Sequence, residues 1–580
     1  MRQRYLVAFA CCSLWAAVPL AARAEPYFPD QAHLVLFVHE PKRLVETFLR
    51  LEPVVALNKL QAIQELADST NARRFLQLVA YLEKELQAPW PRLLDQLRGF
   101  TLGVKFGSKN HAVLVVEGRD QALMQKFVRL ALEVVEQELA RQEIKLTTQR
   151  RSYRGVETIE IGPEVRLAVM GSILLIANSE EGLKAAINSG LDTNRSFAGV
   201  RGMSEAKQLL VDKARNEPLV WLWFNLDVAR QAPNAKEVFE LPRNLALTTV
   251  LLGGWLDVAK RSPWVAAGLF HDEHDQGDRL RLLLAMPRGR DGLHEALTLH
   301  VPPPGQVAAR MPLKPKGALY STSYYLDLGQ LWEQRTKLFT EKQAKDFEEF
   351  NKNSGRFLLG NSISKLLTQA GPQQRFVVAH QVDTGYNRKP AQRLPAFGFV
   401  ISMRQPDEFS RSMDTILRSA ALLGGLSGQL KLVEEQLGEV KLVGYRFLED
   451  KVLANDPNGL RFNFSPCFAR VGDQFLISST IELGQELVRQ LRRESLLAQK
   501  LDDRTTVRTC VFADGAVDFL KSVEDQLLAQ TILSQALAPG EAQEQVKLFI
   551  EIVQKLGYLL TEVRYGQNDF VYDVQLHVSK

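Results

Sequence analysis

Two long stretches of this chain repeat each other about three hundred residues apart, and a chain built that way has to satisfy one fold twice. Val115-Val116-Glu117-Gly118-Arg119 corresponds to Val400-Ile401-Ser402-Met403-Arg404, an offset of 285. Arg166 to Ser179 pairs with Cys467 to Thr480 at an offset of 301, and Phe224-Asn225-Leu226-Asp227 pairs with Val511-Phe512-Ala513-Asp514 at 287. The larger middle offset comes from extra residues around Asp456-Pro457-Asn458-Gly459, a turn sequence that predicts an inserted hairpin in the second half. Gly171 and Gly472 fall at equivalent hairpin turns. After each turn a helix start is expected, with Asn178 and Ser479 as N-caps and Glu181 and Glu482 as the acids three residues on.

The repeat sets the domain expectation. Ala122 to Lys145 carries a helical stripe of Leu123, Phe127, Leu130 and Val134, while the paired short apolar runs favour antiparallel strands. Val301-Pro302-Pro303-Pro304-Gly305, with Pro312 and Pro315, forbids a continuing helix or ladder and reads as a connector. The expected class is α+β: two tandem pseudo-repeats, residues 25–300 and 318–580, joined by a Pro-rich connector at 301–317. Each is expected to be a mostly antiparallel sheet with helices packed on one face.

Residues 1–24 read as an export signal, with Arg2 and Arg4 ahead of the apolar run Leu6 to Leu20 and a small-x-small site at Ala22-Arg23-Ala24. Cleavage after Ala24 leaves a chain beginning at Glu25. Cys11 and Cys12 lie too early in that run for a lipoprotein anchor. Removing the signal takes away three arginines and no acid, so 72 basic against 67 acidic residues become 69 against 67. That near balance, without a long basic run, excludes a nucleic-acid partner. The longest later apolar stretch, Leu245 to Ala259, is too short and too interrupted to span a bilayer, so a soluble protein of the periplasm or envelope is expected. Cys467 and Cys510 remain after cleavage, and two separate thiols in apolar strands fit them better than one bridge.

The chemistry-bearing motifs are sparse. There is neither a phosphate-binding Gly-rich loop nor a G-x-S-x-G elbow, and Ser427 in Gly424-Gly425-Leu426-Ser427-Gly428 lacks the required glycine spacing. Ser204 to Lys207 and Ser362 to Lys365 match S-x-x-K without its companion motifs. His294-Glu295 with His300 misses the H-E-x-x-H spacing, and His111 and His380 sit in strand-like runs. His271, Asp272 and His274, within His271-Asp272-Glu273-His274-Asp275, are the one weak metal candidate, outweighed by a plain hairpin turn between two apolar runs. Asp227 and Asp514 are expected to cap helices, and Trp221, Trp223 and Phe224 to be core rather than a stacking platform. No catalytic residue and no cofactor are expected.

Tyr153-Arg154-Gly155-Val156 before a strand, and Ser323-Tyr324-Tyr325-Leu326-Asp327-Leu328 with Trp332 opening the second half, resemble a family of secreted bacterial proteins known only as a domain of unknown function. The resemblance implies export and this fold class, and it supplies no mechanism. The functional expectation is a secreted, non-catalytic binding or interaction protein of the envelope or periplasm, with an unknown protein or an apolar ligand as partner. A periplasmic carrier of an apolar ligand, with helices such as Ala122 to Lys145 as its lid, is the alternative, and a hydrolase without recognisable motifs comes third.

Overall fold

A computed structural model describes residues 27–28, 31–60, 63–64, 69–87, 89–141, 148–192, 202–274, 277–381, 383–425, 430–453, 455–497 and 502–579. The export signal, its cleavage site, Cys11, Cys12 and Ser427 lie outside them. The fold is α+β. The chain divides into two compact units, residues 1–232 with 262–287, and residues 233–261 with 288–580. Residues 233–261 and 288–300, placed with the first repeat by sequence, thus group with the second unit.

The first unit is built on ten antiparallel strands: β1 (Leu34–His39), β2 (Leu97–Lys105), β3 (His111–Gly118), β4 (Thr148–Tyr153), β5 (Val156–Ile161), β6 (Val165–Met170), β7 (Ile173–Ala177), β8 (Val220–Asn225), β9 (Trp264–His274) and β10 (Gly277–Met286). Their order across the sheet is β4-β5-β6-β7-β3-β2-β1-β8-β9-β10. The second unit contains β11 (Ala318–Tyr325), β12 (Ala370–Ala379), β13 (Ala396–Met403), β14 (Leu430–Leu437), β15 (Val440–Phe447), β16 (Cys467–Val471), β17 (Gln474–Ser478), β18 (Thr505–Phe512), β19 (Tyr558–Tyr565) and β20 (Phe570–Ser579). Its order is β14-β15-β16-β17-β13-β12-β11-β18-β19-β20, also antiparallel throughout. Strand for strand, the two orders are the same.

Single hydrogen bonds recur as well. Gly118 N–H donates to Ser172 O, and Met403 N–H to Asp473 O. Asn178 Oδ1 accepts from Ala112 N–H and Ser479 Oγ from Phe397 N–H, each at 2.9 Å. These last two residues therefore pin β3 and β13 instead of capping. The N-caps are the next residues along: Ser179 accepts from Gly182 N–H ahead of the helix Glu180–Leu191, and Thr480 from Leu483 N–H ahead of the helix Ile481–Ser495. An extended cap residue followed by first-turn acids satisfies orphan amides and complements the helix dipole. Asp227 likewise follows its cap, Asn225, and Asp514 sits in the first turn of the helix Ala513–Ser522.

Both faces of each sheet carry helices, which differs from the one-face expectation. In the second unit Cys467, Ala469 and Leu476 pack with Leu483, Leu487 and Leu491 of the helix Ile481–Ser495. The intervening Phe468 and Phe475 pack with Phe409 and Met413 of the helix Pro406–Gly425 on the other face. Successive strand residues point to opposite faces, so strands apolar at nearly every position, such as Cys467–Val471, need cover on both sides. In the first unit Leu114 and Val116 join Met124 and Val128 of the helix Gln121–Arg141. Val113 instead faces Gly182 of the helix Glu180–Leu191. A side chain as enclosed as Leu487 contributes about 2–5 kcal/mol against truncation to alanine.

The Pro-rich segment 301–317 contains neither helix nor strand, as its prolines require, and it runs as a packed strap. Ala308 and Ala309 donate to Asp502 O and Thr505 O, Gln490 donates to Lys314 O, and Leu313 enters the core beside Val377. The helix Ala246–Arg261 also belongs to the second unit: Trp255 meets Phe570 and Tyr572 at ring-centroid distances of 5.2 and 5.0 Å. Leu247 and Leu251, two turns and one turn before Trp255 on the same helix, are exposed. Among the described residues no helix is long and apolar enough to cross a membrane.

Candidate ligand pocket in the first unit

The first unit holds a half-open cavity of about 680 Å³, formed where β2, β3 and the β4–β5 turn meet the helix Glu180–Leu191. Two glycines make room for it. Gly103 lets the Phe28 ring lie directly on β2, and Gly190 lets the Tyr27 ring lie on the helix; a Cβ at either position would overlap the ring. Phe28 thus forms one wall, which is apolar together with Val104, Val113 and Ala185.

The opposite side is polar and tightly organised. Arg154 at the β4–β5 turn has φ of +51°, followed by Gly155 at +80°, the left-handed pair that a two-residue hairpin turn requires. That turn aims Tyr153 and Arg154 at the helix, where Arg154 Nη1 donates to Asn188 Oδ1 at 2.8 Å and Asn188 Nδ2 donates to Tyr153 Oη at 3.0 Å. The motif on which the family resemblance rests therefore forms part of the pocket lining. Lys105 Nζ donates to Gln31 Oε1 at 2.5 Å, and His111 Nδ1 lies 2.7 Å from Ser179 Oγ. Glu181 and Asp192 supply carboxylates at the rim. Burial, followed by the nearby Lys105 charge, holds the neighbouring His33 imidazole below its ordinary value of 6.5.

Ser179 Oγ already accepts the Gly182 amide, so the His111–Ser179 pair fixes an N-cap instead of presenting a nucleophile to the cavity. Apolar walls with a few oriented polar groups are the usual composition of a small-ligand site, and the volume lies within the usual range.

In the second unit the equivalent place is closed. The β12–β13 connection, residues 380–395, and the β15–β16 connection, residues 448–466, are both much longer than their counterparts, 106–110 and 162–164. They knit together: Asn463 Oδ1 accepts from Leu394 N–H, Asn463 Nδ2 donates to Gln392 O, and Tyr386 Oη–H donates to Phe464 O. Arg446 Nη2 reaches Glu482 Oε1 at 2.6 Å, so the carboxylate equivalent to Glu181 is neutralised within this cover. The second connection is the insertion foreseen around Asp456–Gly459. Its described residues form a short 3-10 turn, Leu460–Asn463, and no hairpin, because Asp456 caps that turn by accepting from Leu460 N–H and Arg461 N–H.

The residues singled out in the sequence fall elsewhere. His271, Asp272 and His274 lie along β9, where neighbouring residues face opposite sides of the sheet. Asp272 is held by Arg279 and Asn216, and His271 Nε2 lies 3.1 Å from Asp278 Oδ1. Among the described residues no group of three or more His, Cys, Asp or Glu could hold a metal. Ser362 is an N-cap accepting from Lys365 N–H, and Ser204 lies in the helix Met203–Ala214. Trp221 is buried with its ring stacked 4.3 Å from Phe37, and Trp223 is buried as well, so neither offers a platform. Cys467 and Cys510 are free, and burial pushes both thiols above their ordinary value. The helix Gln121–Arg141, the sequence candidate for a lid, packs on the face away from the pocket.

No protein-family model and no curated protein matches this chain. Among solved structures, one titled "Structure of crystal form I of TP0453" aligns at a TM-score of 0.22 and 8% identity, covering 47% of this chain and 82% of that chain.

Proposed function

We propose that this chain is an exported, non-catalytic binding protein of the bacterial envelope, of the uncharacterised secreted type its motifs resemble, and that its first unit holds a small ligand. The observation that carries the reading is the half-open cavity of about 680 Å³, walled by Phe28, Val104, Val113 and Ala185 and rimmed by Lys105, Arg154, Glu181 and Asp192. That division of wall and rim suits an amphiphile, with its apolar part against Phe28 and its polar part among the rim charges. Export supports the reading further, since cleavage after Ala24 puts Phe28, part of the pocket wall, at the fourth mature position.

Native mass spectrometry of the mature protein, released mildly from the envelope fraction, tests this. The expected result is a chain beginning at Glu25 with a co-purifying mass of several hundred daltons, lost in Ala185→Trp and retained in Glu486→Trp, the equivalent change in the second unit. A bare chain in both the native protein and the variants overturns the ligand reading. A ligand that survives Ala185→Trp overturns the placement.

A further inference from the structure

Beside the ligand pocket, and sharing only Tyr153 with it, the first unit holds a second, smaller cavity of about 170 Å³. We propose that this cavity binds a phosphate group, as inorganic phosphate or as a phosphate ester. Three cations from three different elements line it: Arg151 on β4, Arg166 on β6 and Lys184 on the helix Glu180–Leu191. Two carboxylates line it as well. Glu160 on β5 lies 3.5 Å from Arg151 and 2.9 Å from Arg166, while Glu180 lies 2.6 Å from Lys184. One carboxylate thus serves two guanidiniums, and three cations against two acids leave one positive charge in the lining.

The equivalent place in the second unit shows what the fold itself needs there. Glu160 pairs with Arg166 as Gly444 pairs with Cys467, and Glu180 and Leu183 stand where Ile481 and Gly484 stand in the second helix. Those residues pack directly on one another. A Cβ on Gly444 would lie 2.7 Å from Ile481, and Cys467 and Ile481 are 2% and 0% exposed. Arg151 and Lys184 correspond to Glu435 and Gln485, which are joined by a 2.6 Å hydrogen bond from Gln485 Nε2. The same strands and helix therefore close on an apolar plug, so the fold does not require the charged lining of the first unit.

The donor set selects the chemistry. Arg166 donates from Nη1 to Pro163 O and from Nη2 to Glu160 Oε1, which fixes its guanidinium in the wall and leaves its buried Nε without an acceptor. Guanidinium forks match the oxygen spacing of phosphate and carboxylate, and an ammonium adds a compact third charge. Cations standing on two strands and a helix reach the space from more than one side, which a tetrahedral set of oxygens meets and a planar carboxylate does not. Glu180 already feels their field: its carboxyl is held below the ordinary value by Lys184, with the Arg151 and Arg166 charges adding to the effect. Lys184 Nζ also lies 5.3 Å from the centroid of the Tyr153 ring, the wall between the two cavities.

Calorimetric titration of the mature chain at fixed ionic strength, with inorganic phosphate in one arm and hexyl phosphate in the other, tests this. The expected result is saturable binding of at least one probe, weakened about tenfold in Lys184→Gln and in Arg151→Gln and unchanged in Arg150→Gln. Lys184 and Arg151 are 43% and 58% exposed, so neither variant disturbs the core, and Arg150 is a neighbouring arginine outside the cavity, paired with Glu157. Saturation by inorganic phosphate identifies a site for the free ion, and saturation by hexyl phosphate alone identifies a site for an ester. No saturable binding of either probe overturns the proposal. So does binding that Lys184→Gln and Arg151→Gln leave intact, or that Arg150→Gln weakens equally. Ala185→Trp, which fills the ligand pocket, should leave the inorganic phosphate titration unchanged, so failure of this site and failure of the ligand reading are separately visible.

Discussion

The two units use one strand order, yet one end of the sheet is open in the first and sealed in the second. The strands are not the cause: Lys105 pairs with His111 where Ala379 pairs with Ala396, and the same cap fixes each following helix. The difference lies in two connections. Short ones at 106–110 and 162–164 leave the helix Glu180–Leu191 facing a cavity, whereas long ones at 380–395 and 448–466 meet over the helix Ile481–Ser495. Two sheets of one strand order thus differ at this end in the length of the connections that cross it.

The largest expected effect concerns the seal. Asn463 is 1% exposed, accepts from Leu394 N–H and donates to Gln392 O and Leu460 O. Asn463→Ala strands those groups, and denaturant unfolding should show a loss of roughly 3 kcal/mol in the second unit with the first unchanged. A loss below about 1 kcal/mol would show that the loops close the site without stabilising it.

Acid sharpens the same contrast. Burial, with the Arg243 charge assisting and the Thr249 backbone opposing, lowers the His300 pKa from 6.5 to about 4. Between those values the unfolded chain binds a proton that the folded chain refuses, so stability is lost as pH falls from 6.5 and levels off below 4. The full loss is roughly 3 kcal/mol. The second unit should therefore weaken more steeply than the first, whose His33 is lowered by burial but remains partly exposed. His300→Gln should flatten the profile. A profile of unchanged slope would remove His300 as the cause.

The caps give the smallest effect and test whether equivalent residues carry equal weight. Ser179→Ala and Thr480→Ala should each cost about 1 kcal/mol, Thr480 toward the upper end because it is buried. Hydrogen exchange in the first helical turn, at Gly182 and Leu483, reads this directly. Equal costs at the two positions would mean that the cover over the second unit adds nothing to its cap.

Much of the framework was legible in the residues. The offsets of 285 and 301 reappear as the spacings between β3 and β13 and between β7 and β17, and that of 287 as the spacing between the ends of β8 and β18. Gly171 and Gly472 do adopt the left-handed conformation of a hairpin turn, with φ of +63° and +60°. The caps were displaced by one residue because Asn178 and Ser479 find a partner on a neighbouring strand, a tertiary contact that local capping rules omit. The helices on the second face were missed because period-two patterning is weak in strands apolar on both sides. The pocket was not legible at all. It depends on a ring at Phe28 meeting a glycine at Gly103, seventy-five residues later, and on what two loops fail to cover. The one available hint was that Gly103 interrupts an otherwise well-formed strand.

The path of the chain between units has a consequence in time. The helix Ala246–Arg261 is synthesised early, but the rings that receive Trp255 are Phe570 and Tyr572, more than three hundred residues downstream. At about 5–20 residues per second the ribosome needs roughly 15–60 s to deliver them. Throughout that interval the nascent chain carries Trp255 without its aromatic partners, beside the exposed Leu247 and Leu251 of the same helix, and a message cut short before Phe570 never provides the place where it docks.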